Sequence, residues 1–249
     1  MARRQIVTEA LRQWGLEPLA LKLRHEGENT VFVLRTPERR LIVRLSGTEL
    51  QTPVTLRGEI RFIERCVEAG IHAARPILTI KGEPFARIPT IDERTGRKRE
   101  RMVTVFEHVP GRRIRPLARK DEFIFNWGAL LARMHNATDG FRQTRTARRP
   151  NWDEIAFQRE ILSDDLRRRR WFRDEWDAGQ KWLGRLPKTE QGLIHADVHE
   201  GNFKVFRGEF YLFDFDDSCV CWYAYDLAVN LARFVSATDR DRFETFRVR

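Results

Sequence analysis

Short apolar-rich runs over Leu19 to Leu23, Thr30 to Leu34 and Leu41 to Leu45 predict three strands, with Thr36-Pro-Glu-Arg39 turning between the last two. Ahead of them, Ile6, Ala10, Leu11 and Trp14 recur at helical spacing, and Gly15 is placed to end that helix. A second helix follows the strands: Leu56, Ile60, Ile63 and Val67 form its apolar stripe, and Gly70 with Pro76 beyond it supplies the stop. Ile77 to Ile80, Phe85 to Ile88 and Met102 to Phe106 complete an antiparallel sheet, separated by Lys81-Gly-Glu-Pro84 and a charged loop from Asp92 to Glu100.

The pattern changes further on. Phe123, Trp127, Leu130, Leu131 and Met134 share one helix face that ends near His135-Asn136, where His135 is expected to answer the helix dipole. Trp152 to Leu186 is charged, aromatic and nearly free of Gly and Pro, which suits one or two helices. Phe203 to Phe206 and Phe210 to Phe213 predict a hairpin turning at Arg207-Gly-Glu209. Asp226 precedes the apolar run Leu227, Ala228, Val229 and Leu231 and reads as a helix N-cap.

Composition narrows the class. The 249 residues are 41% hydrophobic and 33% charged, which fits one or two globular domains rather than a disordered or membrane-embedded chain. No apolar run approaches a membrane span, and Glu9 and Arg12 interrupt any signal-peptide core, so a cytoplasmic location is expected. Cys66, Cys219 and Cys221 form no disulfide framework, and Cys219-Val-Cys221 lacks the second pair that a zinc site needs. The net charge of +10, with Arg runs at 112 to 115, 145 to 149 and 167 to 170, raises nucleic-acid binding as an alternative. Asp164-Asp165 and the acids at 174, 175 and 177 flank the longest run, so a solvated mixed-charge helix explains it better.

The candidate chemistry lies in His195-Ala-Asp-Val-His-Glu-Gly-Asn202, followed by Asp214-Phe-Asp216. A kinase catalytic loop has a His two residues before its Asp and an Asn five after it, and His195, Asp197 and Asn202 reproduce both offsets. In that pattern Asp197 orients an acceptor hydroxyl and takes its proton, while Asn202 and Asp214 hold Mg²⁺ through hard oxygen ligands. Asp216 is a candidate outer ligand, and Gly201 is expected to let the loop turn tightly. No Walker A sequence occurs, which excludes a P-loop fold, and no G-x-G-x-x-G precedes the second strand, only Glu26-Gly-Glu-Asn29.

The runs LIHADVHEGN, LFDFDD and Tyr225-Asp-Leu-Ala228 resemble the aminoglycoside phosphotransferase and choline kinase superfamily, especially its branch with homoserine kinase type II and bacterial stress-response Ser/Thr kinases. Weaker similarity at Glu28 to Phe32, Leu41 to Leu45 and the Glu59 helix extends the resemblance over most of the chain. It implies a bilobal, protein-kinase-like α+β fold: an N-lobe of antiparallel sheet plus one helix (1–106), a hinge (107–111) and a mostly helical C-lobe (112–249).

The resemblance also implies ATP and Mg²⁺ as cofactors. Arg44 stands where kinases carry a phosphate-binding Lys, Glu59 is its helix partner, and backbone groups around Glu107 and Val109 meet the adenine. His195 and Asp226 support the catalytic loop. The acceptor is a hydroxyl of a small molecule (amino alcohol, aminoglycoside or sugar) or of a protein Ser or Thr. A nucleotide-binding protein without turnover is the other alternative, which the presence of Asp197, Asn202 and Asp214 disfavours. Relatives carry further C-terminal helices that wall the acceptor pocket, which Arg249 precedes, and their small residues after Asp-Phe-Asp are replaced here by Cys219-Val-Cys-Trp222.

Overall fold

A computed structural model of the chain describes residues 3–47, 51–91, 96, 98–114, 121–154 and 168–232, apart from the side chains of the last three. In chain order it contains α1 (Arg3–Leu11), β1 (Ala20–Glu26), β2 (Thr30–Arg35), β3 (Arg40–Leu45), α2 (Pro53–Glu68), β4 (His72–Ala73), β5 (Pro76–Ile77), β6 (Ala86–Ile91) and β7 (Lys98–Glu107). There follow α3 (Asp121–Ala137), α4 (Arg170–Leu183), β8 (Gln191–Ile194), β9 (Phe203–Phe206), β10 (Glu209–Leu212), β11 (Cys219–Trp222) and α5 (Tyr223–Ala232).

The first sheet runs β1-β2-β3-β7-β5, all antiparallel, with β6 also paired to β7. Side chains alternate across a strand, so Leu41, Val43 and Leu45 of β3 face one way with Val103 and Val105 of β7. They bury against Ile6, Val7, Ala10, Leu11 and Trp14 of the amino-terminal helix and the turn that ends at Gly15. The same alternation turns Arg44 to the opposite face, where α2 lies. Thr52 caps α2 by a capping box with Thr55, and Pro53 sits in its first turn, which its missing N–H suits. Leu56 and Ile60 pack on Phe85 and Met102, whereas Phe62, Ile63 and Cys66 reach a second core. In that core Trp127, Leu130, Leu131 and Met134 of α3 meet Phe203, Phe210, Leu212 and Phe215.

Several expectations shift. The strand expected over Ile77 to Ile80 pairs only through Pro76 and Ile77, because the Thr79 carbonyl accepts from Gly82 N and turns the chain, leaving Ile80 exposed. The charged loop ending at Glu100 is shorter, since β7 begins at Lys98 and pairs with β6 back to Ile91. Residues 92–95, 97, 115 and 155–167, which include parts of that loop, of two Arg runs and of the expected helices after Trp152, lie outside the described residues.

The hairpin β9–β10 turns at Arg207 and Gly208 as expected, both at positive φ. It gains β4 as a parallel third strand through His72–Tyr211 and Ala73–Leu212, so a segment of the first hundred residues is stitched into the later sheet. Strands β8 and β11 pair beside it, carrying Cys219 and Cys221 as free, buried thiols. Among the described residues, no helix is long and apolar enough to cross a membrane, and no group of three His, Cys, Asp or Glu could hold a metal.

Candidate active site

Strand β8 delivers the chain to His195, which is fully buried against Phe215 at a ring separation of 4.4 Å. Burial holds its imidazole below the ordinary histidine range, against the pull of the nearby Asp226 and Asp197 carboxylates. Its Nδ1 accepts from Asp197 N at 3.3 Å, so the His two residues before the Asp is a backbone brace. Ala196 takes φ 66°, a left-handed conformation that an alanine rarely adopts, and the geometry explains what holds it there. The Asp226 carboxylate accepts from Ala196 N at 2.7 Å and from His195 N at 3.3 Å, and faces His135 Nε2 at 2.8 Å.

One expectation is corrected and another is extended. Asp226 lies inside the first turn of α5 and is fully buried, so its carboxylate serves the loop and does not act as an N-cap. His135 spends its imidazole on Asp226 as well as sitting near the end of α3. Asp226→Ala leaves the buried N–H donors without their acceptor, at a cost of about 3 kcal/mol. For a chain of this length that lowers Tm by roughly 6–12 °C. Scanning calorimetry checks it, and an unchanged Tm contradicts the brace.

Asn202 closes the loop. Its Nδ2 donates to the Asp197 carbonyl at 3.0 Å and to Asp197 Oδ2 at 2.7 Å, while its backbone N donates to His199 O at 2.8 Å. His199 Nε2 lies 3.3 Å from Asp197 Oδ2. Gly201 is not at positive φ; a Cβ there would lie 2.3 Å from the His199 ring, so a larger residue would have to displace that side chain. The backbone N of Phe213 donates to Asn202 O at 3.0 Å, which docks the end of the hairpin on the loop and brings Asp214 next to Asn202. Asp214 then stands at φ 69°, and the residue as a whole keeps solvent exposure although its carboxyl lies against Asp216.

The charges around Asp214 are unevenly shared. Enclosure by protein and then the neighbouring Asp216 carboxylate push the Asp214 carboxyl well above the usual range, with Arg44 opposing. For Asp216, burial acts in the same direction but is outweighed by Arg44, a hydrogen bond with Asp214, Arg149 and Asn29, so its carboxyl falls below the usual range. Asn29 Nδ2 donates to Asp216 Oδ2 at 2.5 Å, and Gly47 N donates to Asn29 Oδ1 at 3.2 Å. The β1–β2 turn is thereby tied to the second acid.

Arg44 and Glu59 form a buried pair, Nη2 to Oε2, at 2.7 Å. Burial alone would lower the guanidinium pKa, but Glu59 and then Asp216 and Asp214 raise it. Arg44 Nε and Glu59 Oε1 are buried with no partner. A donor left over beside two carboxylates is what a triphosphate and its cation would satisfy.

At the end of β7, Glu107 N donates to Arg75 O, and the Val109 carbonyl accepts from Lys204 Nζ at 3.0 Å. Lys204 stands two residues beyond Asn202 on β9, so one strand links the expected hinge to the catalytic loop. A cavity of about 500 Å³ between residues 107–110 and the end of α2 is lined by Arg40, Val67, His72, Arg75 and Tyr211. It contains none of the catalytic-loop residues.

The sequence reading missed Asn29, Gly58, Arg149 and Lys204. Three of them act on backbone atoms of distant segments and Asn29 on a carboxylate 187 residues away, relations that no local pattern signals.

Residues 20–248 match the model of the phosphotransferase enzyme family. Amicoumacin kinase of Bacillus subtilis is 24% identical over 233 residues, covering 91% of this chain, which spans 67% of that protein's length. Among solved structures, an amicoumacin kinase in complex with AMP-PNP, Ca²⁺ and Ami superposes with a TM-score of 0.83 at 23% identity, over 99% of this chain and 75% of that one. The microcompartment-associated aminopropanol kinase gives 0.69 at 20% identity, over 92% and 74%. These likenesses establish the bilobal protein-kinase-like α+β fold and bear out the resemblance to the superfamily.

Proposed function

Because the chain belongs to the phosphotransferase enzyme family, we propose that it moves the γ-phosphoryl group of ATP to a hydroxyl of a small molecule. The observation that carries this reading is the junction of Asp197, Asn202 and the Asp214 turn, tied by the 2.7 Å side-chain bond and the 3.0 Å backbone bond. Asp197 accepts a hydrogen bond from Asn202, which fixes its carboxylate to receive the acceptor hydroxyl. The hydroxyl oxygen then bonds to the γ-phosphorus as the bridge to the β-phosphate breaks, ADP leaves with the bonding electrons, and Asp197 takes the proton.

Asn202 and Asp214 fit a divalent cation. The Asn202 amide points its nitrogen at Asp197, which leaves Oδ1 with no donor on it among the described residues, and the Asp214 carboxyl follows directly on the hairpin end docked at Asn202 O. A cation such as Mg²⁺ held there supplies charge neutralisation on the phosphates. Asp216 is engaged by Asn29 and supports the site from behind. Arg44, oriented by Glu59, offers its spare donor to the phosphates, and backbone groups around Glu107 and Val109 would meet the adenine.

The same reading divides the chain into a nucleotide-covering lobe (1–106), a hinge (107–111) and a catalytic lobe (112–249). The relatives named for amicoumacin and aminopropanol favour a small, amine-bearing hydroxyl compound over a protein Ser or Thr. Free thiols and dependence on ATP suit a cytoplasmic setting. The test is ATP consumption with Mg²⁺ across amino alcohols, aminoglycosides, sugars and generic protein substrates. Consumption that depends on one small-molecule class is expected; consumption with protein substrates alone, or with none by folded chain, overturns the proposal.

A further inference from the structure

Arg149 is a cation buried to 3% exposure in the loop after α3, and among the described residues no salt bridge ties it to an acid. Its donors go to backbone carbonyls instead: Nε to Ser218 O at 2.8 Å, Nη1 to Thr55 O at 2.9 Å, and Nη2 to Asp216 O. Burying a guanidinium is costly even with the Glu59 and Asp216 carboxylates near enough to favour its charge, so a planar fork spent on three backbone carbonyls needs a role that an apolar side chain could not fill. The carbonyls it reaches belong to two elements. Thr55 lies in the first turn of α2, one turn before Glu59, and Asp216 and Ser218 follow Asp214.

The backbone around Arg149 makes the same connection. Arg148 N donates to Val54 O at 3.2 Å, and Val220 N donates to Pro150 O at 2.9 Å, with Asn151 bridged to Val220. Gly58 lets α2 approach so closely that a Cβ there would lie 2.3 Å from the Arg148 carbonyl carbon and 2.4 Å from its oxygen. Residues 148–151 therefore form a strut, with the helix that orients Arg44 on one side and the metal-binding turn on the other.

We propose that Arg149 is a positioning residue that clamps α2 to the Asp214–Ser218 segment, so that the Arg44–Glu59 pair and the Asp214 carboxylate stand in register before any nucleotide arrives. The clamp rests on the kinase reading of the site. No swing of α2 is needed to bring Glu59 to Arg44, because one planar fork bonds the first turn of the helix at Thr55 O and the segment after Asp214 at Asp216 O and Ser218 O.

The test compares the unaltered chain with Arg149→Met, Arg149→Lys and Gly58→Ala by hydrogen exchange of residues 53–60 without ligand, and by calorimetric binding of Mg·AMP-PNP. In the unaltered chain the first turn of α2 is equally protected with and without the probe. Arg149→Met exchanges there at least about tenfold faster and binds the probe about tenfold more weakly, and adding the probe restores protection. Arg149→Lys, which reaches fewer carbonyls, falls between them. Gly58→Ala keeps Arg149 but forces Arg148 off the helix, and shows both changes.

Folded variants with native exchange and native affinity overturn the clamp. If Arg149→Met does not fold, native behaviour of the other two overturns it equally. An unaltered chain that binds no Mg·AMP-PNP removes the kinase reading, whereas exchange in the ligand-free chain still decides the clamp.

Discussion

Asp197→Asn is expected to reduce turnover by at least about a hundredfold, the lower end for removing a general base. The substitution is informative because it preserves shape. Asn202 Nδ2 now donates to Asp197 Oδ2 at 2.7 Å and to the Asp197 carbonyl at 3.0 Å, and an amide oxygen at the same place can accept the first bond while the second is untouched. The brace from His195 Nδ1 to the backbone N of residue 197 also survives. What disappears is the basic carboxylate alone. Single-turnover kinetics at saturating Mg·ATP isolate that loss, and a decrease of less than threefold with nucleotide binding intact contradicts the assignment.

Asp214→Asn is expected to weaken Mg²⁺-dependent nucleotide binding by at least about tenfold, since even groups that only support a metal ligand are worth that much. Asn is the better replacement than Ala because residue 214 stands at φ 69°, a conformation that Asn tolerates. Folding should not suffer. The Asp214 carboxyl is crowded by protein and by Asp216, so removing its charge relieves repulsion in the metal-free chain, and Tm stays level or rises. Loss of binding without loss of stability separates a ligand role from a structural one. Unaltered Mg·ATP affinity, or affinity lost together with the fold, contradicts it.

The two predictions rest on residues whose meaning was local. His195, Asp197 and Asn202 are spaced by one tight loop, and the hairpin between Asn202 and Asp214 is short enough for its strands and turn to be read directly. The first sheet was legible for a similar reason: its strands are apolar on the face toward α1, and the stripe on α2 is periodic. The extension of β6 and β7 toward Ile91 and Lys98 was hidden because its residues are mostly solvent-facing and charged, so they look like a loop. Strand β4 has two residues and no pattern of its own; its pairing with β10 exists only in three dimensions.

Asp226 marks the boundary between the two kinds of information. Followed by an apolar run, it looks like a cap, and only the resemblance to known kinases pointed to the loop it braces. The bonds to His195 and Ala196 span about thirty residues of sequence, and nothing near Asp226 announces them. In the sequence Arg149 belongs to a basic run that raises nucleic-acid binding. It is instead among the most buried cations described, because the acceptors that make burial tolerable are carbonyls of α2 and of residues 216 and 218.

The most direct test of the central claim, that Asp197, Asn202 and Asp214 form one metal-nucleotide site, is a calorimetric titration of the unaltered chain with AMP-PNP, with Mg²⁺ and again with a chelator. Saturable binding at a single site that requires the cation is the expected result. Binding of equal strength in the chelator, or none in either condition, contradicts it.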